Sequence, residues 1–276
     1  MNIKIVCDSS SDLTKLTHTA FASAPLTIST NEHSFVDDDK LDIPNMINEL
    51  AHYKGRSYTA CPSIASWLDC FEGADILYVC TITSGLSGAY NSAMSAVSQY
   101  CADNPHVKAH VFDTLSTGPE LRMLAEKIDE LVYEGNDFDT VCREANEYLK
   151  RTRLFFSLES LHNFAQNGRV SKIVASAAGI LGIRIFGTAS AKGTLQPMHK
   201  CRGEAKVLST IMSTLEEIGY KGGKIRIAHV QNPGFAQRIK EALINKYGEI
   251  SLLIYETRGL CSYYAEKGGI LLGCEI

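Results

Sequence analysis

The sequence predicts an α/β protein with a parallel sheet in its first half and an α+β arrangement in its second. Three observations carry this. The runs IKIVC (3 to 7), ILYVCTI (76 to 82) and VKAHVF (107 to 112) are short, rich in β-branched residues and followed by polar turns, as buried parallel strands are. The segments between and after them have helical spacing. From about Leu154 the order of elements changes, and the expected division is 1–150 and 151–276.

In chain order, the segment from Ser87 places Ala89, Ala93, Ala96, Val97 and Tyr100 on one helical face. The segment after Pro119 does the same with Leu121, Leu124, Ala125, Ile128 and Leu131. Alternation of this kind with strands is the grammar of a βαβ sheet. Phe138, Val141, Cys142, Ala145 and Leu149 mark a further amphipathic helix, and the basic run Lys150, Arg151, Arg153 suits its C-terminus. The second half reads as RLFFSL (153 to 158), a Gly-rich helical stretch SKIVASAAGILG (171 to 182), IRIFG, TLQPMHK, a long helix near 203 to 219, KIRIAHV, a helix from Pro233, SLLIYE and GGILLGCEI. No long linker separates the halves, so they are expected to pack closely around a cleft.

Composition excludes several function classes. The 276 residues include 45% apolar and 21% charged side chains, enough apolar material for one large core or two modest ones. The 27 Lys and Arg against 31 Asp and Glu give no basic surplus for phosphate-backbone binding, so nucleic acid is not an expected partner. MNIKIVCDSSSD turns polar after a run too short for a secretory signal. No stretch approaches the roughly 20 apolar residues a membrane helix needs, so a cytoplasmic location without stable membrane insertion is expected. Nine cysteines contain no CxxC pair and several sit in apolar runs, the pattern of buried free thiols. His106 and His110 are four apart, but Pro105 and the β-branched stretch argue against a helix presenting both as ligands, and no metal site is expected.

Polar loops follow the three strands: Asp8 to Asp12, Thr83 to Gly88 and Asp113 to Gly118. In open α/β sheets ligands bind beyond the carboxyl ends of strands, so these loops should converge. Ser87 is expected at a helix N-cap with the Gly88 and Ala89 amides pointing outward, an arrangement that suits an anion; caps and turns without a ligand are the other reading. GxSxG, GxxxxGK[ST] and GxGxxG after a strand are all absent. No cofactor is expected.

These blocks resemble the DegV family, bacterial proteins that bind a fatty acid between two domains. The resemblance runs through most of the chain: Asp8-Ser9-Ser10-Ser11-Asp12-Leu13, Pro25-Leu26 before a second strand, and Thr59-Ala60-Cys61-Pro62-Ser63, similar to Thr-Ser-x-Pro-Ser. The most specific block is Thr83-Ser84-Gly85-Leu86-Ser87-Gly88-Ala89-Tyr90-Asn91-Ser92-Ala93. Asp113 to Gly118, Asn167-Gly168-Arg169-Val170-Ser171 (similar to Gly-Gly-Arg-Ile-Ser) and Lys200-Cys201-Arg202-Gly203 complete it. The resemblance implies a Rossmann-like N-terminal domain and a C-terminal α+β domain closing a lipid tunnel. It also implies a non-catalytic carrier that presents its fatty acid to a separate ATP-dependent fatty acid kinase, which makes the acyl phosphate used in phospholipid synthesis.

By the family pattern Thr59 and Ser87 supply hydroxyls to the carboxylate, with Ser84, Gly88 and Ala89 in the same loop. Arg169 lies by the head group and is associated with kinase engagement; a plain helix-terminal arginine after a Gly turn is its other reading. Lys172 and Arg202 are further candidates for that positive patch, solvated surface charge explaining them equally. The physics agrees: a buried carboxylate needs several donors, and roughly ten buried CH₂ groups at about 0.8 kcal/mol each give about 8 kcal/mol gross. Phe155, Phe156, Phe164, Ile180 and Leu181 are tunnel candidates, with plain packing as the alternative.

The sequence departs from the family at Ala265-Glu266-Lys267-Gly268-Gly269, where His-x-Gly-Pro-Gly is usual and the histidine helps hold the carboxylate. Ser262, Tyr263 and Tyr264 are the nearby groups that could substitute, the tyrosines having the reach. Two other readings stand beside the carrier: a sensor or storage protein for another small anion, and a phosphotransferase or hydrolase using Ser87 or Asp8.

Overall fold

The computed structural model describes residues 1–171 and 182–276. A parallel four-stranded sheet has the order β2 (Ala20–Ala24), β1 (Ile3–Asp8), β6 (Ile76–Thr81), β7 (Lys108–Asp113). The three strands read from the apolar runs are its β1, β6 and β7. Every residue of β6 is buried, since the strand is central and covered on both faces. A six-stranded mixed sheet has the order β10 (Leu195–Arg202), β9 (Ile183–Ala189), β8 (Thr152–Leu158), β13 (Ile270–Glu275), β11 (Ile225–His229), β12 (Leu252–Glu256). A small antiparallel sheet, β4 (Ser34–Val36), β3 (Thr27–Ser29), β5 (Tyr58–Ala60), is inserted between β2 and β6.

Among the described residues the helices are α1 (Ile43–His52), α2 (Ile64–Phe71), α3 (Ala89–Asp103), α4 (Gly118–Tyr133), α5 (Phe138–Lys150), α6 (His162–Gln166), α7 (Gly203–Glu217), α8 (Pro233–Tyr247) and α9 (Gly259–Ala265). The apolar spacings read in the sequence fall on α3, α4 and α5. Ala93 and Ala96 are fully buried in α3, and their small size lets it lie close to α2, whose Trp67 and Phe71 fill the space above the sheet; Ala89, also buried, packs with Leu26, Ile82 and Leu260. The helical stretch expected over 171 to 182 lies, apart from Ser171 and Gly182, outside the described residues.

α4 joins the two large sheets. Leu121, Leu124, Ala125, Ile128 and Leu131 pack on the first sheet. Its other side meets β13, where a Cβ on Gly273 would lie 2.9 Å from both Pro119 and Met123, so glycine is what permits the close approach. Lys224 Nζ reaches Glu130 at 2.7 Å and Arg226 reaches Glu126 at 2.8 Å, two part-buried ion pairs that tie α4 to β11 and the residue before it. In the second half Phe155 and Phe186 face a core with α7 and α8, while Leu154, Phe156 and Leu158 face the opposite side of the sheet toward the first half. Phe155 is therefore core rather than tunnel wall, the period of two along β8 sending it away from Phe156.

All nine cysteines are free thiols, five of them buried and Cys61 exposed. His106 lies outside any helix and His110 lies in β7, so the pair does not share a helical face.

Candidate functional site

Between the two halves lies a largely apolar cavity of about 320 Å³, within the usual range for ligand sites. Its apolar wall includes Leu26, Ile82, Leu154, Phe156, Leu158 and Leu271, drawn from both halves. Phe164 also lines it, Ile180 and Leu181 fall outside the described residues, and Phe155 is absent from the lining. The cavity reaches exposed surface beside Ala60, Cys61 and Gly88.

The polar groups collect from four distant segments. Thr59, in the last of the small sheet's strands, places Oγ1 2.8 Å from Tyr264 Oη on α9. One hydroxyl of this pair donates to the other, which leaves the second hydrogen free for a ligand. Ser87 lines the cavity and its Oγ accepts the Ala89 amide at 3.2 Å, so its hydrogen also remains to be given. The helix begins one residue later than expected: Gly88, not Ser87, is the N-cap of α3, and Ser87 forms a two-residue hydroxyl turn onto it. Gly88 lines the cavity; Ala89 is buried beneath the lining, and Ser84 is exposed, its amide turned to Asp113 Oδ1 at 3.0 Å. Arg169 lines the cavity too, its Nε donating to Leu86 O at 3.1 Å and its Nη1 to Asn167 O. Lys172 lies outside the described residues. Arg202 is exposed at the end of β10, outside the cavity lining.

Of the three groups weighed for the missing histidine, only Tyr264 faces the cavity. Tyr263 turns its phenol to Ser57 Oγ (2.7 Å) and Asn167 Nδ2 (2.9 Å), and Ser262 bonds Thr257 Oγ1 at 2.7 Å. Burial raises the Tyr264 pKa above the ordinary phenol value, partly opposed by the Thr59 hydrogen bond and the Arg169 charge, so the phenol stays a donor at neutral pH. The Phe164 ring packs tilted against it, ring centroids 4.6 Å apart.

Sequence reading missed what positions α9. Asp37 is buried and its two carboxylate oxygens accept the Gly259 and Leu260 amides at 2.8 and 2.9 Å. Asp12 Oδ1 accepts the Arg258 amide at 2.7 Å. Two carboxylates of the first half thus fix the start of the helix that carries Tyr264. Asp37 opens the run Asp37-Asp38-Asp39, which in sequence looks like solvated surface; no local signal marks its first member as buried.

Burial pushes the Asp8 carboxyl up to about 6 and the Asp12 carboxyl up to about 7, the Asp37 charge adding to both shifts, and Asp37 itself is raised by burial. Across the interval from about pH 4 up to these values, Asp8 and Asp12 hold protons in the folded chain that the unfolded chain has released. Folding therefore takes up protons across this window, and stability falls as pH rises from about 4 to about 7. Thermal melts are expected to show that decline between about pH 5 and 7.5, and Asp12→Asn to flatten its upper part; an unchanged slope in the variant would remove Asp12 as its source.

The fold and the site together define a class: two α/β halves enclosing an apolar cavity, with a hydroxyl cluster and an arginine where it nears the surface. The chain belongs to the DegV family, whose model, described as an uncharacterised protein family, matches residues 2–272. A DegV domain-containing protein of Streptococcus pyogenes is 40% identical over 280 residues, covering all of both chains. The crystal structure of a DegV family protein from Eubacterium eligens loaded with heptadecanoic acid superposes with a TM-score of 0.97 at 48% identity, covering 99% of each chain. That of the Streptococcus pneumoniae fatty acid kinase (Fak) B3 protein loaded with linoleic acid also gives 0.97, at 39% identity over the whole of both chains. Among the described residues, no helix is long and apolar enough to cross a membrane.

Proposed function

We propose that this chain binds one long-chain fatty acid in the cavity between its halves, with the carboxylate at Thr59, Ser87 and Tyr264. The bound acid is then offered to a separate ATP-dependent kinase for conversion to the acyl phosphate. The observation that carries the reading is the pairing of a mostly apolar cavity with hydroxyls that still have hydrogens to donate. An acyl chain supplies the apolar complement and a carboxylate the acceptors. The relatives solved with heptadecanoic and linoleic acid support the same ligand class, and the fatty acid kinase named for the second supports the partner.

Gly88 at the start of α3 adds the favourable end of a 15-residue helix to the carboxylate's surroundings. Tyr264 takes the place of the histidine usual in the family. Arg169, anchored to Leu86 O beside the head-group loop, is positioned to meet the kinase or the incoming phosphoryl group. The division of the chain near residue 150, between the helix ending at Lys150 and the strand starting at Thr152, is part of this proposal.

The reading as a phosphotransferase or hydrolase gains no support from the geometry. Asp8 is engaged by the Ser10 amide and hydroxyl and by the Ile82 amide. Among the described residues no histidine or carboxylate is hydrogen-bonded to Ser87. Native mass spectrometry of the protein purified from a bacterial host tests the proposal. The expected spectrum contains an adduct with the mass of a long-chain fatty acid, and the protein alone turns over no ATP. A ligand-free spectrum that stays unchanged on adding oleic acid, or steady ATP hydrolysis by pure protein, would contradict it.

A further inference from the structure

The cavity wall is divided between the two halves where the turn joining β9 to β10 meets the loops after β6 and β7. The turn, Ser190 to Thr194, is complete in itself. Ser190 N donates to Thr194 O and Gly193 N to Ser190 O, each at 2.8 Å, and the Ser190 and Thr194 hydroxyls lie 2.8 Å apart. Among the described residues a single hydrogen bond ties this turn to the first half: Thr83 Oγ1 donates to Gly193 O at 2.9 Å while accepting the Gly85 amide at 3.0 Å. Around that bond the two glycines let the chains approach closely. A Cβ on Gly85 would stand 2.3 Å from Lys192 O, and one on Gly193 would stand 1.9 Å from Thr83 Oγ1 and 3.0 Å from Leu115 Cα. Leu115 itself is held at φ 49 with its amide on Asp113 Oδ1, shaping the seat on which the turn rests.

Thr83, Gly193 and Thr194 all line the cavity, so the seam between turn and loops is a seam in its wall. A turn that carries its own internal hydrogen bonds and is held by one hydrogen bond at the edge of a cavity can lift without breaking its own structure. We propose that the 190–194 turn is a strap across the cavity, latched by Thr83 and seated on Gly85, and that its lifting sets the rate at which an acyl chain enters and leaves. This rests on the fatty-acid reading of the cavity.

The experiment uses two full-length variants. Gly85→Ala, whose residue is not in the cavity lining, wedges the strap from its seat; Thr83→Val removes the latch hydroxyl. Hydrogen exchange of the ligand-free protein reads the strap directly, and stopped-flow fluorescence of cis-parinaric acid reads ligand exchange. The expected result is faster amide exchange confined to peptides spanning 188–196, with association and dissociation rates both raised about five- to tenfold, the scale of one lost hydrogen bond. Faster amide exchange with unchanged ligand rates would overturn the gating role. A rise in dissociation alone would assign lost ligand contact instead of gating and would also overturn it. Unchanged amide exchange in both variants would overturn the latch. Failure of the wild type to bind the probe would count against the cavity reading, while the amide exchange would still report on the latch.

Discussion

Thr59→Ala, Ser87→Ala and Tyr264→Phe each weaken binding of a long-chain fatty acid, by roughly 1 to 3 kcal/mol, because each withdraws a donor from a carboxylate that has left water. The three losses are not expected to add. Thr59 and Tyr264 share one hydrogen bond, so the double variant of that pair should cost less than the sum of its singles, while Ser87, which among the described residues bonds within its own turn, should combine with either more nearly additively. Isothermal titration with oleic acid checks both points. If Tyr264→Phe binds like wild type while Thr59→Ala and Ser87→Ala weaken, the tyrosine packs without serving the ligand and the missing histidine has no replacement.

Arg169→Ala is expected to keep fatty-acid affinity within a few-fold of wild type yet to lower acyl-phosphate formation by the cognate kinase by at least an order of magnitude. The guanidinium gives Nε to the Leu86 carbonyl and Nη1 to the Asn167 carbonyl, two bonds from a group with five N–H donors, which fix it beside the head-group loop and leave donors for a further partner. Measuring binding and phosphorylation on the same preparation separates its roles. Lost binding with normal phosphorylation of whatever is bound would move Arg169 into the ligand's own contacts.

These two predictions draw on residues that were unequally visible in the sequence. The β1, β6 and β7 runs are legible because buried parallel strands read as unbroken apolar stretches, and α3, α4 and α5 because each buries one face and repeats it at helical spacing. The small sheet was not, since three strands of three residues each are too short to show alternation. It matters because it brings Thr59 to Tyr264, a pair 205 positions apart in the chain. α9, seven residues long with six of them buried, carries no polar face from which a helical period could be read.

Ser87 and Gly88 came from the loop pattern and the resemblance together, and the structure moved the cap by one residue. Phe155 and Phe156 illustrate a limit of composition: both are aromatic, adjacent and 4% exposed, yet strand alternation sends one into the core and the other to the cavity. Asp37 was hidden for the opposite reason, an acidic run giving no sign that its first member caps a helix more than 220 residues away.

A crystal structure of this chain with oleic acid bears most directly on the proposed site. That site places the acyl chain between Phe156 and Leu271, with one carboxylate oxygen within hydrogen-bond distance of Ser87 Oγ and the other within reach of the Thr59 and Tyr264 hydroxyls. A carboxylate whose protein partners all come from the first half, with the Tyr264 phenol beyond hydrogen-bond distance and no ordered water between them, would contradict it.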